Sequence, residues 1–293
     1  MKILLKMRMG APEKLRSVRQ DEYPARWVRF LLRIELSHNA PKENPMKTVL
    51  IAALLALAAP TIAAAATPIE AAIADPARTD KDRERDAREK PAEVLAFAGV
   101  KPGMTVADVF AGGGYYTELL ADVVGPTGKV LTVNNVPYAT FAKDDIKARF
   151  TEGRLTNVER HLVEMSYMNL PPKSVDLILI CMSFHDAFWI DEKEGWPEIN
   201  TDAFIDSMKR MLKPGGKLLI IDHNAPPGTG REMAGKAHRL NEDFAKKALS
   251  SRGFVLEKTY DGLRNKEDQL DKMVFDPTVR GKTDRYVHLY RVK

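Results

Sequence analysis

Fifteen residues at 104–118, Met-Thr-Val-Ala-Asp-Val-Phe-Ala-Gly-Gly-Gly-Tyr-Tyr-Thr-Glu, constrain the fold more than any other stretch. A short apolar run from Thr105 to Phe110 carries one carboxylate, Asp108, and ends in three consecutive glycines. Leu119, Leu120, Val123 and Val124 come next at helical spacing. The pattern reads strand, tight turn, helix. Glycines at such a turn let the backbone take positive φ and let a ligand approach the main chain. The helix start behind them offers unpaired N–H groups. Taken alone, the stretch fits a cofactor loop and a plain turn equally well.

The rest of the chain repeats the same alternation. Lys129 to Val133 reads as a second strand, and a polar helix is expected near 139–149. A weak third strand is expected at 158–164, and Val175 to Cys181 is apolar enough for a strand buried on both faces. Ala203 to Leu212 is an amphipathic helix stopped by Lys213-Pro-Gly-Gly216, with a fifth strand from Lys217 to Asp222. A helix over roughly 236–251 and two closing strands, Gly253 to Tyr260 and Arg285 to Val292, complete the chain. Strands alternating with helices predict an α/β fold with a mostly parallel sheet, and the late strands predict an antiparallel end.

The whole-chain charge of +5 is concentrated at the front. Residues 1–45 hold ten Lys+Arg against five Asp+Glu, and Lys47 adds one more, so the chain beyond residue 66 carries a net −1. That near-neutral body offers no electrostatic footprint for nucleic acid. The single cysteine, Cys181, excludes an intramolecular disulfide and a Cys-rich zinc site. Residues 46–66 have a basic start, an apolar core from Val49 to Ala59, Pro60 and a run of alanines. That is the pattern of a secretory signal peptide, with cleavage expected after Ala66 and a periplasmic destination. The alternative is a membrane anchor, which the alanine content and Pro60 disfavour, so no stable anchor is expected after cleavage. Residues 1–45 read as an over-extended start or a basic tail. Residues 67–90 read as a charged linker or solvated helix, Asp80 to Lys90 alternating in sign. Residues 91–293 are the expected domain.

The ordered set Asp108-x-x-x-Gly112-x-Gly114, a polar residue ending the second strand, Leu170-Pro171 before Asp176, and Lys213-Pro-Gly-Gly216 resembles the class I S-adenosylmethionine-dependent methyltransferases. The tail segments His238-Arg-Leu-Asn-Glu242, Leu263-Arg-Asn265, Val274-Phe-Asp-Pro277 and Arg280-Gly-Lys-Thr-Asp284 are similar to a group of exported bacterial predicted methyltransferases. The resemblance covers roughly 92–292. It implies a Rossmann-like seven-stranded sheet flanked by helices, S-adenosyl-L-methionine as cofactor and a small-molecule acceptor. Gly112, Gly113, Gly114 and Asp108 would lie against the methionine half, with Asp108 either holding the cofactor or capping the turn. Asn134 stands where the family pattern places Asp or Glu, Phe110 where it places a glycine, and Ser166 where an Asp often meets the adenine. Tyr116 would either face the cationic sulfonium or pack the helix start.

Ser183-Phe-His185-Asp186 leaves the carboxyl end of the fourth strand, the end at which ligands bind in open α/β sheets. His185 has the chemistry of a general base, and Asp186 would orient it or cap a helix. Trp189, with Phe188 and Trp196, would line an acceptor pocket or simply pack a lid. His223 and His238 belong to the same rim, and Arg239, Arg280 and Arg285 either meet an acidic acceptor or form internal ion pairs. No His-x-x-x-His or similar spacing occurs, so no metal site is expected. The rival function is a non-catalytic exported binding or sensing protein on the same fold. A dinucleotide oxidoreductase is disfavoured because Thr117 holds the place of the third glycine of Gly-x-Gly-x-x-Gly. Neither the acceptor nor the oligomeric state is legible.

Overall fold

The computed structural model describes residues 66–293, apart from the side chain of Glu194; the expectations for residues 1–65 lie outside the described residues. The described part lies within one compact unit, Ala64–Lys293. No helix among the described residues is long and apolar enough to cross a membrane.

Three helices precede the sheet. Helix α1 (Pro68–Ala74) opens on a capping box: the Thr67 hydroxyl accepts from the Glu70 N–H at 3.2 Å, and Glu70 accepts from the Thr67 N–H at 2.7 Å. Helix α2 (Asp80–Glu89) is capped by Thr79, and Lys90 turns the chain in a left-handed conformation into α3 (Pro91–Ala98). The charged run is therefore a helix, but its charges are not all solvated. Arg78, Asp82 and Glu89 are buried. Arg78 pairs with Asp86 at 2.7 Å, Asp82 with Arg149 at 3.0 Å, and Glu89 with Arg285. A sign alternation reads as a wet surface only when the partners are local; Arg149 and Arg285 come from 67 and 196 residues away in sequence.

The sheet has seven strands in the order β3-β2-β1-β4-β5-β7-β6. They are β1 (Thr105–Val109), β2 (Lys129–Asn134), β3 (Val158–Leu162), β4 (Val175–Cys181), β5 (Leu212–His223), β6 (Phe254–Thr259) and β7 (Arg285–Val292). β1 to β5 pair in parallel, and β7 runs antiparallel between β5 and β6. This is the mostly parallel sheet with an antiparallel end that the sequence predicts. Lys213-Pro-Gly-Gly216 does not precede β5 but lies within it. The register slips between Val175/Leu212 and Leu177/Lys217, and Lys213 reaches the Asp176 carboxylate at 2.7 Å. Both faces of the sheet are covered. Ala107, Val109, Ile178 and Ile220 face one apolar layer, and Val106, Leu177, Leu179 and Leu219 the other.

Helix α4 (Tyr115–Val124) comes directly after the glycines, and α7 (Thr201–Met211) precedes β5. Two expected helices are each divided. The one near 139–149 is α5 (Val136–Phe141) and α6 (Lys143–Arg149), meeting at Ala142. The one over 236–251 is α8 (Glu232–Ala237) and α9 (Glu242–Ser251). His238 takes a left-handed φ of 50°, and Asn241 caps α9 afresh, accepting from the Asp243 and Phe244 N–H groups.

Candidate functional site

The carboxyl ends of β1, β2, β4 and β5 converge on one rim. At β1 the chain leaves the strand through Phe110 at φ 54°, Gly112 at φ 56° and Gly114 at φ 83°. Gly112 and Gly114 tolerate this at no steric cost, whereas Phe110 adopts it with a side chain. The phenyl ring is retained because it is buried beside Tyr138 (centroids 5.4 Å), Trp196 (6.1 Å) and Phe204 (5.7 Å). Gly113 answers a different need: a Cβ there would stand 2.5 Å from the Asp145 Cβ, so its smallness lets α6 close against the turn.

Asp108 is buried behind the glycines and takes the Thr117 hydroxyl at 2.6 Å. Through that hydroxyl it ties the first turn of α4 to β1. Burial raises its carboxyl to about 7, with the Thr117 hydrogen bond pulling the other way. Arg149 fastens the far side of the turn, its Nε donating to the Gly113 carbonyl at 2.8 Å while its guanidinium pairs with Glu118 and Asp82.

Asn134, at the end of β2, is committed to the loop. Its Oδ1 accepts from the Gly112 N–H at 3.0 Å, and its Nδ2 donates to the Gly112 carbonyl at 3.2 Å. An amide does both at once, which a carboxylate cannot. Ser166 is likewise engaged, its hydroxyl accepting the Asn200 N–H at 3.0 Å ahead of α7. The Tyr116 hydroxyl is buried without a hydrogen-bond partner. Its ring packs edge-on to Tyr115 at 5.1 Å, and Arg85 of α2 lies over the Tyr115 face at 4.1 Å.

The second half of the rim is built on Asp222, at the end of β5 and wholly buried. Its Oδ2 accepts the His185 main-chain N–H at 2.7 Å, and its Oδ1 meets the His185 Nδ1 at 2.8 Å and the His223 N–H at 2.8 Å. On the opposite edge of the imidazole, Nε2 stands 3.3 Å from Asp186 Oδ1. Burial alone would lower the His185 pKa, but Asp222 and Asp186 outweigh it and raise it to about 9. His223 is the opposite case. Burial first, and the nearby His185 second, hold it well below its ordinary value, and its Nδ1 lies 2.7 Å from the Thr283 hydroxyl. His238 brings Nδ1 to 3.6 Å from the same Asp186 Oδ1.

Aromatic rings wall this half. Trp189 stacks on Trp196 at 5.1 Å and meets His238 edge-on at 4.9 Å. Trp196 donates its indole N–H to the Asp186 carbonyl at 3.1 Å. Tyr138 reaches from α5 across the turn, its ring 3.3 Å from where a Gly112 Cβ would lie.

The structure thus gathers His185, Asp186, Trp189 and His238 into one cluster with His223 beside it. Gly112, Gly113, Gly114, Asp108 and Asn134 form a second cluster, and Ser166 stands apart on Asn200. Arg239 and Arg285 are spent on internal pairs with Asp268 and Glu89. Two residues escaped the sequence. Asp222 was legible as a strand end but not as the hub of three hydrogen bonds. Tyr138 had one weak signal, its place three residues after the capping Asn135.

A sequence model described as a methyltransferase domain matches residues 100–274. Over 191 residues the chain is 25% identical to the ubiquinone/menaquinone biosynthesis C-methyltransferase UbiE of Saccharophagus degradans, covering 65% of this chain and 69% of that protein. Over 168 residues it is 27% identical to UbiE of Shewanella pealeana, covering 57% and 59%. The chain thus spans about two thirds of these relatives' length or less. Among solved structures, a chain in the complex of the Haloferax volcanii Trm112 methyltransferase activator superposes with a TM-score of 0.50 at 14% identity. That match covers 74% of this chain and 95% of that one, and it is a likeness of fold.

Proposed function

The chain belongs to the methyltransferase-domain family, and from that membership we propose that it transfers a methyl group from S-adenosylmethionine to a small, planar, ring-bearing acceptor. S-adenosylmethionine is the cofactor of this family and fold. The residues fit it: the glycine turn is only half-buried at Gly112 and Gly113, and the Tyr116 hydroxyl is a buried polar atom without a partner. Gly112 to Gly114 and Tyr116 are the residues that would hold it, on a turn that Asn134 sets. When bound, the cofactor supplies an electrophilic methyl on a sulfonium.

The chain's own part is positioning and exclusion of water. One observation carries the acceptor reading: Phe110, Tyr138, Trp189 and Trp196 form a continuous aromatic wall from the glycine turn to the His185 cluster. The names of the UbiE relatives, which concern quinones, agree with a ring-bearing acceptor. Asp222 holds His185 Nδ1 and turns Nε2 toward the rim, where it can orient an acceptor oxygen.

Export belongs to the same proposal. Cleavage after Ala66 would leave Thr67, the cap of α1, as the first residue of the mature protein. N-terminal sequencing of periplasmic material tests this; recovery of chains beginning upstream of Val49 overturns it.

The functional test is calorimetric titration of the full chain with S-adenosylhomocysteine, then transfer of labelled methyl to hydroxylated quinones and naphthols. Saturable micromolar binding with label transfer is expected. No heat at millimolar ligand overturns the reading and leaves a non-catalytic protein on this fold.

A further inference from the structure

We propose that His185, Asp186 and His238 form a binding site for one divalent transition-metal ion of the zinc class. The donor atoms are His185 Nε2, Asp186 Oδ1 and His238 Nδ1, and candidate ligand atoms of the three residues all lie within 4.8 Å of one another. The two separations from Asp186 Oδ1 are 3.3 and 3.6 Å. Ligand bonds of about 2.0–2.1 Å at tetrahedral angles put neighbouring donors about 3.3–3.4 Å apart. Two of the three separations therefore already have nearly the spacing that a zinc-sized ion requires, and the third lies within 4.8 Å.

Donor chemistry and support agree with the spacing. Two imidazoles and one carboxylate are a borderline-soft set that leaves at least one coordination position open. Behind His185 stands buried Asp222, whose carboxylate takes Nδ1 at 2.8 Å and turns Nε2 toward the other two donors. That carboxylate–histidine pair is the outer-shell arrangement that fixes a ligating imidazole. Asp186 is fixed through its carbonyl by the Trp196 indole. His238 is brought in by the left-handed turn ending α8, an unusual conformation for a residue with a Cβ. A neutral imidazole that gives its only N–H to Asp222 presents a lone pair to Asp186, so either a second proton or a metal ion stands between them. Chain spacing conceals the site because its ligands come from the exit of β4 and from the cap of α8.

The test uses the full chain, stripped with a chelator and titrated with Zn²⁺ by calorimetry, with metal content measured after dialysis. One ion per chain is expected, and affinity should fall at least 100-fold in Asp186→Ala and in His238→Asn, the latter chosen because Asn tolerates the left-handed turn. Absence of saturable uptake by the wild-type chain, or uptake unchanged in both folded variants, overturns the proposal. A readout independent of any variant is the histidine ring signals in NMR. Zn²⁺ should move those of His185 and His238 and leave His161 of β3 in place; shifts confined to other histidines overturn the assignment.

Discussion

Asn134 closes both main-chain groups of Gly112, taking its N–H at 3.0 Å and giving to its carbonyl at 3.2 Å. Replacing Asn134 by Asp keeps the acceptor and sets a carboxylate oxygen against the Gly112 carbonyl. Losing one buried hydrogen bond and creating that repulsion should cost about 1–3 kcal/mol. Urea unfolding of Asn134→Asp at pH 7.5 checks this, and an unchanged midpoint would show that the clamp contributes nothing.

Asp108 ties stability to pH. Its carboxyl is raised from 3.8 to about 7 by burial, so between those values the unfolded chain has released a proton that the folded chain retains. Stability should therefore fall as pH rises from about 4 to about 7, by an amount on the order of 4 kcal/mol, and level off above. Asp108→Asn removes this component. The difference between the pH profiles of the two proteins, measured by denaturant titration, isolates it from every other group.

Phe110 carries a conflict between backbone and packing. Its φ of 54° suits glycine, yet its ring is buried among Tyr138, Trp196 and Phe204. Phe110→Ala should lose about 3–5 kcal/mol of packing and keep the backbone cost. Phe110→Gly removes still more atoms but relieves a left-handed strain of about 1–2 kcal/mol. The glycine variant should thus melt at or above the alanine variant, the reverse of the order that size alone predicts.

Arg285 holds α2 against β7 through buried Glu89 and the Arg88 carbonyl, the latter at 2.7 Å. Arg285→Met leaves buried Glu89 with only Arg85 and Arg88, each at 3.4 Å, so the loss should fall below the about 3–5 kcal/mol of a fully unpaired buried charge. Hydrogen exchange should rise first at residues 80–89. Uniform loss of protection across the sheet would show instead that the pair supports the whole domain.

These residues mark what the sequence could and could not disclose. Hydrophobic period and turn chemistry are local, so the strands, α4 and the antiparallel end were legible. The divided helices were not, because the His238 turn depends on Asn241 restarting α9 and on the pull of Asp186. Asp108, Gly112 and His185 stood out because their residue types are unusual at strand ends. Roles depended on partners distant in sequence. Asn134 could be read as a weakened ribose contact, and only its two bonds to Gly112 show that the amide serves the loop. The charges of 80–90 looked solvated because Arg149 and Arg285, which neutralise two of them, lie 67 and 196 residues away from their partners.

The sheet order has a consequence for the history of each molecule. β7, the last of the seven strands in chain order, sits between β5 and β6 and supplies the Arg285 that receives Glu89. A nascent chain emerging amino end first holds five strands with an open edge, a sixth with nothing to pair with, and an α2 whose buried Glu89 has only Arg85 and Arg88 as partners. Closure waits for Arg285–Val292. Until β7 is in place the sheet is unclosed, and a truncation that removes Arg285 is an injury to α2 as well.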